Sequence, residues 1–357
     1  MAISKEQYVP VLKWRQGEYQ ALLRLKENEK ELITPLLMIP PREYDFEEQR
    51  IKKTAHEHVE TFPTRLIKKW GLRLALVDTH ESLESEKMND GTSIVSYIFT
   101  ELRKSKSLAI PVVNLSRGSF YLNEIKKIIS IDNNGASLRI KLEELMSKDL
   151  DKNITSLLKA VGVNYPMVDL VIDLGEPESF EPYNIFSNAL VSKIKTIKGL
   201  SKFRSFVVTG MSLKLSKVKK PGAISNRHEW NLYKQLVVDL KNIRIPSYGD
   251  YTIESPAFSN LDMRLMKPSG KIVYTSDNQW FISKGGAFRD DPKQMITHCR
   301  AIINSGHYCG ETYSHGDQRI KDTYNGKENT GNLGTWKQVG VNHHITKVID
   351  QLSNFHV

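Results

Sequence analysis

With 357 residues, 39% of them hydrophobic and 26% charged, the chain carries enough apolar side chain for a large core, which excludes a wholly disordered protein. Two cysteines, Cys299 and Cys309, exclude a disulfide framework or a paired-cysteine zinc site. No run approaches the roughly 18 apolar residues of a membrane span, so the expectation is a cytoplasmic protein with no membrane partner, whose net charge of +10 attracts phosphate-bearing molecules.

Short runs rich in Val, Ile and Leu recur along the chain, and in order they predict strands at 34–39, 72–78, 108–114, 137–142, 168–175, 205–211, 244–251 and 271–285. Their apolar character is near-continuous rather than alternating, as in parallel strands covered on both faces. Most are separated by segments with apolar residues at i, i+3 or i+4, such as Ser93–Ser105, Ser119–Ser130, Asn184–Leu200 and His228–Ile243.

Repeated strand and helix units predict an α/β protein, a TIM-barrel-like (β/α)8 single domain with an N-terminal segment and a polar C-terminal extension. The barrel is expected over 1–305 and the extension, with a closing helix, over 306–357. A doubly wound sheet is the alternative, but its glycine-rich phosphate turn is missing after the first predicted strand, which ends in Pro40, Pro41 and Arg42. Two places depart from a regular barrel. The connection 251–270 lacks a clean helical period, and the run 271–285 is long enough to form a hairpin.

The strings Tyr8 to Tyr19, Thr34-Pro35-Leu36, Ser247-Tyr248-Gly249-Asp250-Tyr251, Tyr313-Ser314-His315-Gly316-Asp317, Thr335-Trp336-Lys337 and Asn342-His343-His344-Ile345-Thr346 resemble the "beta protein" family of bacteria and their phages. The resemblance spans essentially the whole chain. It implies a setting in the conflict between phage and host, through antiphage defence or a mobile element, and brings no catalytic residues with it.

In a barrel, functional side chains belong at the C-terminal strand ends. Asp78 and Asp173 end apolar strands, where a carboxylate pair could hold a divalent metal or act as general base, or each could cap the following helix. Asn114 and Arg117 occupy a strand-to-helix turn suited to a phosphate, although turn chemistry alone explains the neighbouring Ser and Gly. Lys284, before Gly285 and Gly286, has the composition of a phosphate grip, and Arg42 and Asp250 sit at two further strand ends.

Lys13 and Arg15 precede the first predicted strand. Arg15 could hold an anion over the mouth or, sharing a helical face with Glu18, tie the N-terminal segment down. In the tail, His315 with Asp317, and His343 with His344, are candidates for acid-base chemistry. Adjacent histidines in a helix point about 100° apart, so His343 and His344 cannot share a metal there. Two functions follow. One is a barrel that binds a nucleic acid, a nucleotide or the product of a neighbouring gene. The other is a phosphodiester or phosphoester hydrolase using Asp78, Asp173, Lys284 and His315 or His343. No cofactor is indicated by any motif.

Overall fold

Runs such as Ala75–Thr79 and Ala109–Val113 are buried at every position, and a strand with no exposed face needs a neighbour on both edges and helices or a filled interior on both sides. The structure, a computed structural model, describes residues 2–258 and 265–355. Its strands are β1 (Val9–Lys13), β2 (Leu36–Ile39), β3 (Tyr44–Asp45), β4 (Arg50–Ile51), β5 (Ala75–Thr79), β6 (Ala109–Val113), β7 (Ala136–Lys141), β8 (Val168–Asp173), β9 (Ser205–Gly210), β10 (Gly222–Asn226), β11 (Ser247–Asp250), β12 (Ser269–Thr275) and β13 (Gln279–Ala287). Strands β1, β2, β5, β6, β7, β8, β9 and β11 close in chain order into a parallel barrel, sealed where Val9 lies opposite Gly249. The predicted TIM-barrel-like (β/α)8 architecture is therefore present.

Two of its members differ from the expected set. The first barrel strand is Val9–Lys13, within a segment expected to precede the barrel, so the run 34–39 supplies the second strand. Its five residues end in Lys and run directly into a helix, which hides the strand period. The run 271–285 is not a barrel strand. It turns at Ser276, Asp277 and Asn278 into the antiparallel pair β12 and β13, and residues of the Asn and Asp type favour such turns. Strand β10, from the crossover between β9 and β11, completes a three-stranded sheet in the order β10, β13, β12. Of the irregular connection 251–270, residues 259–264 lie outside the described residues.

The eighth position in the ring of helices is filled from the tail. The helix Leu333–Ser353 packs on the helix Gln16–Leu23. At its far end Arg227 donates to Gln351 Oε1 at 2.6 Å, and Phe355 meets the rings of Trp230 and Tyr233. Val341, Ile345, Val348 and Ile349 join the main barrel core. The same helix places Trp336 and Val339 in a second core with Ile272, Tyr274, Met295 and Cys299, between the three-stranded sheet and the helices Gln294–Ile303 and His315–Tyr324. Among the described residues, no helix is long and apolar enough to cross a membrane.

Candidate functional site

The C-terminal strand ends converge on a buried guanidinium. Arg139, on β7, donates from Nη1 to Asp78 Oδ2 at 2.8 Å, from Nε to Asp173 Oδ2 at 2.8 Å, and from Nη2 to the same oxygen at 2.6 Å. Tyr251 donates its hydroxyl to Asp173 Oδ2 at 2.7 Å, and Gly175 gives its amide to Asp173 Oδ1 at 2.9 Å. Arg117 adds a second cation on Asp78, 2.8 Å from Oδ1, and lies over the ring of Tyr121. Burial works against the Arg139 cation, but Tyr251, Asp173 and Asp78 outweigh it and hold the guanidinium protonated. Asp78 and Asp173 are thus brought together through Arg139, which bridges them.

The mouth above them is crossed by the chain that follows β11. Ser255 donates to Glu176 Oε2 at 2.7 Å, beyond the end of β8. Lys13 donates to the carbonyl of Ala257 and lies 4.8 Å from the ring of Phe258, which meets His80 edge-on at 5.1 Å. Burial lowers the pKa of Lys13. Beside it Glu18 accepts from the Lys13 amide at 3.1 Å, while its Oε2 is buried without a partner. Burial pushes the Glu18 carboxyl up to about 8, against the pull of Lys337. The expected pairing of Arg15 with Glu18 is replaced by this contact with the Lys13 amide, because Arg15 sits at the N-cap position, outside the helix, and Glu18 turns inward.

Open space lies to one side, outside the ends of β1 and β2. A cavity of about 400 Å³ is lined by Trp14, Arg15, Tyr19, Lys53, His58 and Arg65, among others. Trp14 packs against Tyr19 and Phe62 with ring centroids 5.4 and 5.3 Å away, and Arg65 lies over the Tyr19 ring. Trp14 is only 6% exposed, and its indole N–H has no acceptor. His58 lies 2.8 Å from the Pro40 carbonyl, so Nε2 carries the hydrogen, and burial lowers the ring's pKa and keeps it neutral. Several cations and one carboxylate, Glu43, therefore line an aromatic hollow beside the unpaired Trp14 indole N–H.

The other predicted residues are dispersed. Arg42 pairs with Glu86. Asn114 accepts from the amide and hydroxyl of Ser116 in a local turn. Asp250 is buried and takes hydrogen bonds from Tyr8, Tyr248 and the Thr252 amide, with His344 Nε2 at 2.9 Å. Burial opposes its charge, but these donors hold the carboxyl below its ordinary range. Lys284 belongs to β13, where its ammonium donates to the Val218 carbonyl, so it is not at the barrel mouth.

The tail histidines also separate. His343 Nδ1 lies 2.8 Å from Asp317 Oδ2 and Nε2 lies 2.8 Å from the Thr275 carbonyl, so both nitrogens face acceptors. Tyr274 stacks on the ring at 3.8 Å and donates to Asp317. His343 is fully buried. His315 does not reach it and lines a different, polar cavity with Arg24 and Arg319. His344 faces Asp250 instead, as expected for neighbours on a helix.

Among the described residues no group of three or more His, Cys, Asp or Glu side chains could hold a metal. Arg139, Tyr251 and Trp14 were not among the residues expected at the site. A charged residue inside the apolar run Ser137 to Leu142 was the available signal for Arg139; Tyr251 and Trp14 carried none beyond adjacency to residues already singled out.

The profile of the family described as Beta protein matches residues 8–350. No curated protein matches the chain. Among solved structures, a GH5-4 broad specificity endoglucanase from an uncultured bacterium is similar at 7% identity and a TM-score of 0.34, covering 68% of this chain and 79% of that one.

Proposed function

The chain belongs to the Beta protein family, and from that premise we propose that it is a recognition barrel whose ligand is phosphate-bearing, a nucleotide or nucleic acid, seated at the aromatic and basic cavity beside β1 and β2. The observation that carries this reading is the Trp14 indole N–H, buried without an acceptor in a cavity lined by Arg15, Lys52, Lys53 and Arg65. A buried donor without a partner costs about 1 to 3 kcal/mol, and an anionic oxygen would satisfy it. Arginine suits phosphate because its planar fork gives two parallel hydrogen bonds. The partly exposed Tyr19 ring, flanked by Arg65, is the flat face available to a base. The family resemblance supports a place in phage and host conflict, as a sensor or adaptor.

The hydrolase alternative has less support. Asp78 and Asp173 are occupied by Arg139, and Lys284 and His343 have their own partners elsewhere. A general base needs a free lone pair within hydrogen-bond reach of its proton.

Titration with ATP and with a single-stranded oligonucleotide, followed by tryptophan fluorescence at several salt concentrations, tests the binding reading. Saturable binding that weakens with salt is expected, with Arg15→Ala and Trp14→Phe each losing about tenfold or more. Absence of binding at low salt, or unchanged affinity in both variants, overturns it.

A further inference from the structure

The three-stranded sheet ends in an edge that is open at Ile224, between the Gly222 amide, which donates to the Lys219 carbonyl, and the Asn226 carbonyl, which accepts from the Ser212 hydroxyl at 3.5 Å. Strand β10 pairs with β13 on one side and with no strand on the other among the described residues. The Lys284 amide bonds to the Pro221 carbonyl, and the Arg227 amide to Asn278. Antiparallel bonding alternates by residue, so Ala223 and Ser225 also turn their backbone toward β13, while Ile224 turns its N–H and C=O outward. Its side chain is 57% exposed.

A cavity lies on each face of this edge, and the two differ in chemistry. On the face shared with the helix Gln294–Ile303, a groove of about 920 Å³ runs over Ile224, Phe281 and the small residues Gly285 and Ala287, with Lys220, Lys284, Asp290 and Asp291 also in its lining. On the opposite face, a cavity of about 500 Å³ is lined by Lys214, Lys217 and Lys219 against a single carboxylate, Glu178. Inside the groove, His298 is 6% exposed with Nε2 unpartnered, and Gln294 Oε1 is unpartnered too. Gly285 leaves room for both, since a Cβ there would meet Gln294 Oε1 at 2.0 Å and His298 Nε2 at 2.8 Å.

We propose that β10 receives, as a fourth strand, an extended segment of a partner protein in which apolar and acidic residues alternate. Side chains of a strand alternate between its faces, so the apolar ones enter the groove beneath the helix and the acidic ones meet the lysines. The outward Ile224 N–H and C=O supply main-chain hydrogen bonds, the mode by which exposed sheet edges capture peptides. Lysines beside an edge also discourage pairing between two copies of this chain, which leaves the edge free for a segment of opposite charge. This site is separate from the cavity proposed for the phosphate-bearing ligand.

The test uses the full chain and two blocked peptides, Val-Glu-Val-Glu-Val-Glu and Val-Lys-Val-Lys-Val-Lys, in a calorimetric titration, together with amide hydrogen exchange. The acidic peptide is expected to bind at least tenfold more tightly than the basic one and to slow exchange of the Ile224 amide at least tenfold. Ile224→Pro, which removes the outward N–H at a position where an edge strand tolerates proline, is expected to lose tenfold in affinity. No binding of the acidic peptide, equal binding of both peptides, or an Ile224 amide that exchanges as before overturns the proposal. The exchange measurement needs only the unaltered chain, so a misfolded proline variant leaves the outcome decided.

Discussion

His344 lies 2.9 Å from Asp250, which joins the middle of the last helix to the end of the eighth barrel strand. The carboxylate only accepts, so His344 donates from Nε2 and takes a hydrogen bond from the Thr275 hydroxyl at Nδ1, 2.9 Å away. Burial lowers the histidine's pKa and keeps it neutral, with Asp250 pulling the other way. The ring also stacks on Trp280. His344→Ala removes one donor from a buried carboxylate, strands the Thr275 hydroxyl and opens a cavity. A loss of about 3 kcal/mol is expected, read from the urea midpoint; a change below about 0.5 kcal/mol would contradict the pairing.

Arg139 is the cation of Asp173 and shares Asp78 with Arg117, so deleting it leaves the buried Asp173 charge uncompensated. Arg139→Met is expected to destabilise by about 3 to 5 kcal/mol or prevent folding. Changing Asp173 to Asn in the same background removes the charge that the methionine abandoned and leaves the Arg117 to Asp78 pair intact. If the interior network is structural, this double variant recovers at least half the lost stability in chemical denaturation. If the double variant is no more stable than Arg139→Met alone, the charge is not the cause.

Glu18 gives a pH dependence with a definite sign. Its native carboxyl is raised from an ordinary 4.5 to about 8, chiefly by burial. Between those values the folded chain holds a proton that the unfolded chain has released, so stability falls as pH rises from about 5 to 8. The slope from this group reaches about 1.4 kcal/mol per pH unit. Glu18→Gln retains an oxygen for the Lys13 amide and does not titrate. Subtracting its stability profile from that of the unaltered chain isolates the contribution, and parallel profiles over this range would show Glu18 ionised at neutrality.

Much of the barrel was legible because covered parallel strands announce themselves as unbroken apolar runs, as Ala109–Val113 does. Val9–Lys13 did not, being five residues that run straight into a helix. The run 271–285 was counted as the eighth strand although its length allowed a hairpin, and the hairpin forms; its turn of only Ser-Asp-Asn leaves the two apolar arms adjacent in sequence. The eighth barrel helix was legible as a helix over 342–352, but its place was not, since some eighty residues of other structure separate it from β11 and no local pattern records that return. For the site, strand-end reasoning picked out Asp78 and Asp173, which share Arg139, while Asp250 turns outward to Tyr8, Tyr248 and His344. Their roles depended on Arg139, Arg117 and His344, partners distant in sequence, and periodicity carries no information about such pairings.

The crossing of the last two helices depends on a missing side chain. At Gly316 a Cβ would lie 2.5 Å from the Val339 carbonyl and 3.3 Å from the His343 amide. These are backbone atoms of the helix Leu333–Ser353 and cannot swing aside as a flexible side chain would. Gly316 also gives its amide to Asn342 Oδ1 at 2.9 Å, and its neighbour Asp317 is the partner of His343. Gly316→Ala gains helix propensity, worth about 1 kcal/mol at most, but must push the two helices apart and lengthen the Asp317 to His343 contact. Overpacking of this kind costs about 1 to 3 kcal/mol, so a net loss of about 1 to 2 kcal/mol is expected in urea unfolding. The histidine supplies a second readout, since its ring signals should shift in the variant's NMR spectrum at neutral pH. A variant as stable as the unaltered chain, with His343 signals unmoved, would mean that the helices do not cross this closely.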